Sequence, residues 1–176
     1  WGRKVVSRGR RDFLKTTGFP AASPLRAASL TRPRFAGTTV QEKVHLGIIG
    51  WGGIMNLHVK GLVSRSENVS LAWLCDVDPA QIDRMAKHTA GFQSQAPKRT
   101  ARYEDVIRDA NVDAVIIATP HHWHAPIAIR AMQEGKDVYI EKPISHVYNE
   151  GHAIIEASKK YDGVVQQGSQ MRNSPV

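Results

Sequence analysis

From residue 44 onward, short apolar runs alternate with segments whose apolar residues recur at helical spacing. The runs are rich in Val, Ile and Leu and are flanked by turn residues, which predicts strands at 44–49, 69–75, 113–118, 137–140 and 163–167. The segments between them predict helices at 53–64, 79–90, 103–109, 122–134 and 147–161. A short edge strand near 98–100 would complete a six-stranded sheet. This alternation is typical of an α/β fold with a doubly wound parallel sheet and helices on both faces.

Local signals agree with these helix boundaries. Pro79 and Pro126 fall in predicted first turns, where a missing backbone N–H costs nothing, and Asp78 directly before Pro79 is a suitable cap. Gly91 and Gly135 stand where two of the helices should stop.

The charge of the chain is unevenly distributed. Of its 24 Lys/Arg and 16 Asp/Glu, ten and two fall in residues 1–43, so the remaining residues hold fourteen of each. The net charge of +8 therefore belongs to the N-terminal segment, and the rest of the chain has no electrostatic case for a nucleic-acid partner. No stretch reaches eighteen apolar residues, so we expect no membrane span.

Residues 1–42 are expected to lie outside the fold. Arg10-Arg11 followed by Asp12-Phe13-Leu14-Lys15 resembles the twin-arginine export signal of bacteria, although prolines and an arginine interrupt the apolar stretch that follows. The resemblance predicts the twin-arginine export machinery as a partner and a periplasmic or otherwise exported protein. The alternative is a disordered basic arm, in which case the protein would be cytoplasmic.

The first predicted strand ends in a glycine turn that suits a dinucleotide. Gly50, Trp51, Gly52, Gly53 and Ile54 follow it, and Gly50 and Gly52 match the first two glycines of a GxGxxG turn. A pyrophosphate needs backbone N–H groups at a helix N-terminus, and only glycines let it approach so closely. The third glycine is replaced by Met55, which leaves Gly53 as a possible substitute. Standing alone, the turn could equally be a simple tight turn.

The end of the second predicted strand supports the nucleotide interpretation. It delivers Asp76, a carboxylate that can accept hydrogen bonds from the adenosine ribose hydroxyls and that repels a 2′-phosphate. The residues that follow, 77–81, include no Lys or Arg to hold such a phosphate. NAD is therefore favoured over NADP as the cofactor.

The strand at 113–118 opens into a loop with three histidines. Thr119 and Pro120 would border the cofactor, because ligands of open α/β sheets bind at the carboxyl ends of the strands. His121 and His122 are adjacent and point apart, and no further Cys or acidic ligand is suitably placed, so we expect no metal site. His124 is expected at a helix start beside the bound ligand.

The strand at 137–140 delivers Glu141, Lys142 and Pro143 to the same edge. An alcohol that loses hydride must also lose its proton, and an ammonium beside the hydroxyl stabilises the developing alkoxide or relays that proton. Lys142 is therefore the candidate catalytic residue, and Pro143 is a candidate for a cis peptide bond. As a bare tripeptide, the same sequence is also common in solvent loops.

Cys75 is the single cysteine, so it cannot form an intramolecular disulfide. It lies in the apolar run LAWLC, which predicts a buried and unreactive thiol.

Several of these motifs occur together in one order. VHLGIIGWGG, CDVDP, ATPHHWHAPIAIRAMQEGKDVYIEKPIS and VVQQGSQMR resemble the nucleotide-binding half of the Gfo/Idh/MocA oxidoreductases. The resemblance implies a Rossmann domain over 43–176, a nicotinamide cofactor and a sugar-, inositol- or polyol-like substrate. It implies that Lys142 is the catalytic lysine, that Glu141 lies near the nicotinamide, and that Gln167 and Arg172 border the cofactor and substrate.

The resemblance also implies a second α/β domain beyond this chain, which would supply most of the substrate pocket and the homo-oligomer interface. We therefore expect this chain to bind cofactor and to be inactive alone. Two alternatives stay open: an NAD-dependent glycosidase of the same family, which oxidises a sugar, eliminates the glycoside and reduces again, and a non-catalytic nucleotide-binding fragment.

Overall fold

The computed structural model describes residues 43–63 and 66–169. The predicted export leader at 1–42 and Arg172 lie outside these residues, so their roles stay predictions. Among the described residues, no helix has the length and apolar character needed to cross a bilayer.

The fold is built on one sheet of six parallel strands in the spatial order β3-β2-β1-β4-β5-β6. The predicted doubly wound architecture is confirmed, and two strands are shorter than predicted. The strands are β1 Val44–Ile49, β2 Val69–Cys75, β3 Lys98–Thr100, β4 Ala114–Ile117, β5 Asp137–Ile140 and β6 Val165–Gln167. Since the strand order reverses between β1 and β4, a crevice for a ligand is expected at their carboxyl ends.

Five α-helices connect the strands: α1 Met55–Val63, α2 Pro79–Thr89, α3 Tyr103–Arg108, α4 His124–Gln133 and α5 Tyr148–Tyr161. The first begins two residues later than predicted, because Gly53 and Ile54 form a turn. The predicted helix at 122–134 begins as a separate 3-10 turn, His121–Trp123, and becomes α-helical at His124.

The local interactions that the sequence predicts at helix ends are present in the structure. Asp78 caps α2, its Oδ1 accepting from the backbone N–H of Ala80 at 2.9 Å, and Pro79 occupies the first turn. Gly91 and Gly135 follow helix ends with φ of 83° and 76°, a conformation that glycine adopts without a steric penalty.

The central strands are buried on both faces. Ile48 and Ile49 point into different core clusters, and so do Ile116 and Ile117, because successive side chains of a strand alternate between faces. One cluster packs the sheet against α3, α4 and α5, and the other packs it against α1 and α2. This double burial explains why the strands read as continuous apolar runs.

An apolar groove of about 550 Å³ lies on the face that carries α1. Leu57 and Leu62 of α1 line it together with Val164, which precedes β6. It lies along the face of the sheet and not at the carboxyl edge where the predicted site residues are found.

Candidate functional site

The glycine turn after β1 packs against the end of β4. Gly50 has φ of 86°, and its N–H donates to the Cys75 carbonyl oxygen at 2.8 Å. A Cβ on Gly50 would lie 2.8 Å from the carbonyl carbon of Ala118 and from the backbone nitrogen of Thr119. Both the backbone conformation and the close approach therefore require glycine here.

The rest of the turn differs from the glycine pattern in one respect. Gly52 and Gly53 are exposed, and a Cβ on Gly53 would meet nothing within 4 Å. The hypothesis that Gly53 replaces the third glycine as a close-packing residue is wrong. Met55 at that position is fully buried among the core residues beneath α1, so the helix accommodates a large side chain where a small one was expected.

Asp76 lies directly beside this turn. Its Oδ2 accepts a hydrogen bond from the backbone N–H of Trp51 at 2.8 Å, and its Oδ1 accepts from Asp78 N–H at 3.0 Å. The loops after β1 and β2 therefore converge, as the sequence predicts. The carboxylate is partly exposed, and its contact with a ribose stays a prediction.

His124 joins two loops of the site. It is 1% exposed, and its ring nitrogens lie 2.7 Å from the Pro143 carbonyl oxygen and 2.9 Å from that of Thr119. The sequence placed His124 beside the ligand, and it does line the cleft, but both nitrogens face backbone carbonyls. It therefore braces the loops after β4 and β5. The described residues contain no group of three or more metal-ligating side chains.

Glu141 and Lys142 follow β5 at the same edge. Glu141 is 4% exposed, and its Oε1 lies 2.5 Å from Nε2 of His58 on α1. Lys142 is exposed, and its bond to Pro143 is cis, as the sequence predicts. His58 was not predicted from the sequence, because the spacing of residues along a helix does not indicate a partner as distant along the chain as Glu141.

These loops share one cleft of about 260 Å³. The residues that line it come from the loops after β1, β4 and β5; they are Gly52, Ile54, Ala118, Thr119, His121, His124, Glu141 and Lys142. The structure thus brings the glycine turn and the candidate catalytic lysine together. Pro120 is exposed beside Thr119, and Gln167 ends β6 opposite Ile140, but neither lines the cleft.

Four buried side-chain atoms in the described part of the chain have no hydrogen-bond partner: Trp51 Nε1, Asn56 Oδ1, Gln81 Oε1 and Thr119 Oγ1. All four belong to residues in loops or first helical turns that follow β1, β2 and β4. Buried polar atoms are normally paired, so unpaired ones gathered along this edge fit a polar ligand that supplies the missing partners. Asn56 and Gln81 were not singled out from the sequence.

Cys75 directly precedes Asp76 but does not line the cleft. Burial, together with the nearby carboxylates of Asp76, Asp105 and Glu104, raises its pKa to about 12. The thiol is free and buried, which confirms the predicted burial; its low reactivity stays a prediction.

Comparison with known proteins agrees with this geometry. The family model for Gfo/Idh/MocA, an oxidoreductase family with an NAD-binding Rossmann fold, matches residues 44–169. An alpha-N-acetylgalactosaminidase of Shewanella oneidensis is 31% identical in an alignment 170 positions long, gaps included, that covers 86% of this chain and 37% of that protein.

Two solved structures share the fold. The myo-inositol 2-dehydrogenase of Lactobacillus plantarum is 26% identical with a TM-score of 0.66, the match covering 76% of this chain and 38% of that one. The WlbA dehydrogenase of Bordetella pertussis, solved with NADH and UDP-GlcNAcA, has a TM-score of 0.69 at 23% identity, with 76% and 38% covered. This chain therefore spans less than two fifths of the length of these proteins. On the extent of the family match, it belongs to the Gfo/Idh/MocA oxidoreductase family and contains that family's NAD-binding Rossmann fold.

Proposed function

We propose that the complete protein transfers hydride between a nicotinamide cofactor and a sugar- or polyol-like alcohol, and that this chain is its nucleotide-binding half. The observation that carries the proposal is the single cleft that Gly52 of the glycine turn shares with Lys142. The bound cofactor supplies the site that accepts or donates hydride.

Different residues at the carboxyl edge of the sheet suit different parts of the cofactor. The backbone N–H groups around Gly52 and Gly53, at the start of α1, suit a pyrophosphate, because the first N–H groups of a helix have no partner within it. Asp76 suits the adenosine ribose, and its charge favours NAD over NADP. Gln81, in the first turn of α2, brings an unpaired buried oxygen to the same end of the site.

Lys142 suits the chemistry of the alcohol. It is exposed at the cleft, where an ammonium can donate to the substrate oxygen and stabilise the charge that develops as hydride leaves. His124 and Glu141 hold the backbone at this position, since His124 contacts the Pro143 carbonyl oxygen and the Glu141 carboxylate accepts from the Lys142 N–H.

A titration of the 176-residue chain with NADH, followed by cofactor fluorescence, tests the proposal. We expect saturable binding that NAD⁺ competes for more effectively than NADP⁺. Gly50→Val, which puts a branched side chain against the backbone of Ala118, should lose most of this binding. A folded chain that binds neither NADH nor NADPH would reject the proposed function.

In the complete protein, Lys142→Met should lower kcat by a factor of about a hundred or more, the usual range for general acid–base groups. NADH affinity should change far less, because the lysine acts on the substrate. Unchanged turnover would instead favour a non-catalytic, nucleotide-binding role for this half of the protein.

A glycosidase is the second candidate, because a relative that shares 31% identity with this chain is named an alpha-N-acetylgalactosaminidase. Transient oxidation at one carbon, elimination of the glycoside and return of the hydride would use the same cofactor half. Release of the aglycone from an aryl N-acetylgalactosaminide without net formation of NADH would identify it. Net NADH formation with a free sugar would favour the dehydrogenase.

We also propose export by the twin-arginine route, on the basis of Arg10-Arg11 and the residues after them. Residues 1–42 fused to a reporter that functions only after folding in the cytoplasm should carry it to the periplasm. Replacement of both arginines by lysine should stop export, and continued export would contradict the proposal.

A further inference from the structure

We propose that His58 is a positioning residue for the part of the cleft that holds the nicotinamide half of the cofactor, acting through Glu141. The inference rests on the proposed function and assigns a role within that same site. It concerns a residue of α1 that reaches the loop after β5.

The geometry of the pair is direct. His58 Nε2 lies 2.5 Å from Glu141 Oε1, and the two side chains are 22% and 5% exposed. A carboxylate oxygen only accepts, so Nε2 must carry the proton of this hydrogen bond. The imidazole also meets the ring of Tyr139 edge-on, with centroids 5.2 Å apart.

The Glu141 carboxylate has further contacts away from the cleft. Its Oε2 accepts from the backbone N–H of Lys142 at 3.1 Å. Burial raises the pKa of Tyr139, and the charge and hydrogen bonding of Glu141 raise it further. A Cβ on Gly168 would lie 2.7 Å from the Tyr139 hydroxyl and 2.9 Å from Glu141 Oε1, so the chain after β6 packs tightly on the pair.

A buried carboxylate is stabilised by the hydrogen bonds that it accepts. Removing the His58 donor withdraws one hydrogen bond from a group that is almost fully desolvated, and such a group then moves toward water or another partner. The open side of Glu141 is the cleft, where Lys142 lies next to it. Loss of His58 should therefore disturb this end of the cleft.

The effect should be confined to one half of the cofactor. A dinucleotide lies across the point where the strand order reverses, here between β1 and β4. With Asp76 of the β2 side at the adenosine ribose, the nicotinamide half extends toward β5 and Glu141. ADP-ribose, which lacks the nicotinamide ring, should therefore be insensitive to the contact between His58 and Glu141.

The test measures dissociation constants of NADH and ADP-ribose for variants of the full 176-residue chain. His58→Phe keeps a ring beside Tyr139 but has no donor, whereas His58→Gln keeps a donor near the position of Nε2. Lys60→Leu changes an exposed residue of the same helix and serves as the control. We expect the phenylalanine variant to weaken NADH about tenfold and ADP-ribose less than twofold. The glutamine variant should recover most of the NADH affinity, and the control should match the wild type.

Unchanged NADH affinity in His58→Phe would overturn the inference while leaving the proposed function intact. Equal weakening of NADH and ADP-ribose would overturn it as well, since that result indicates a general effect on α1. Should the phenylalanine variant fail to fold, His58→Leu supplies the same comparison. A wild-type chain that binds neither ligand would reject the proposed function, and this inference with it.

Discussion

Replacing Gly50 by alanine tests whether the site depends on the close packing of the glycine turn against the end of β4. The residue has φ of 86°, and its added Cβ would lie 2.8 Å from two backbone atoms at the end of β4. Backbone atoms directly after a central strand cannot rotate away as a flexible side chain can. The substitution should therefore separate the glycine turn from Ala118 and Thr119, which line the cleft with it.

The expected cost has two parts. A left-handed backbone costs a residue with a Cβ about 1–2 kcal/mol, and forcing an extra carbon into a packed site costs about 1–3 kcal/mol. Gly91 provides a matched control, because its φ is 83° but a Cβ there would meet nothing within 4 Å. Gly91→Ala should show the first cost alone, and Gly50→Ala should show both.

Urea unfolding of the two variants, followed by tryptophan fluorescence, measures the difference. We expect Gly50→Ala to be less stable than Gly91→Ala by about 1–3 kcal/mol. NADH affinity should fall in Gly50→Ala and stay unchanged in Gly91→Ala. Equal stability of the two variants would show that β4 does not press on the turn, and the packing argument would be wrong.

Three further predictions concern single side chains. Asp76→Ala should weaken NADH binding by about 1–3 kcal/mol through lost ribose hydrogen bonds, and unchanged affinity in a fluorescence titration would show that the carboxylate does not face the ribose. Cys75, whose pKa burial raises to about 12, should resist iodoacetamide at pH 8 in the folded chain and react in urea; rapid labelling of the folded chain would contradict its burial. Hydrogen bonds to the Asp109 carboxylate lower its pKa; the largest effect comes from the backbone N–H of Asn111, and those of Trp73 and Lys98 are smaller. The ionised carboxylate therefore stabilises the fold above pH ~4, and this stabilisation is lost as the pH falls toward the pKa of the folded state. In urea unfolding, the free energy of unfolding should fall less between pH 6 and 3 in Asp109→Asn than in the wild type. An identical dependence on pH in the two proteins would show that Asp109 does not stabilise the fold in this way.

The strands were predictable because burial on both faces leaves a strong mark on the sequence. Ile48 and Ile49 serve opposite core clusters, so the run that contains them is apolar throughout. The exact ends of the strands were harder to predict. The strand predicted from Asp113 begins at Ala114, and the Asp113 carboxylate accepts instead from His45 N–H at 2.9 Å.

The site was predictable where a loop carries its own chemistry. Gly50, Asp76 and Lys142 could be chosen because each follows a strand and has a type suited to its task. His58 could not, since its partner Glu141 is 83 residues away and only the packing of α1 beside β5 brings them together. The same holds for Asn56 and Gln81, whose unpaired atoms become visible only when their burial is known.

The packing of α1 was the main local error. A glycine pattern suggested a helix that lies close to its strand, with Gly53 in the role of the missing residue. Instead, Met55 fills the space beneath the helix and Gly53 faces open space, so tertiary packing decided which side chain the turn could accept.

The central claim is that loops after separate parallel strands form one dinucleotide site at the carboxyl edge of the sheet. Backbone amide shifts of the ¹⁵N-labelled chain, recorded with and without NADH, test it most directly. The account predicts that the shifts concentrate at residues 50–56, 76–81, 119–124 and 141–142, with little change at the amino ends of the strands. Shifts centred on the apolar groove around Leu57, Leu62 and Val164, with none at the glycine turn, would contradict it.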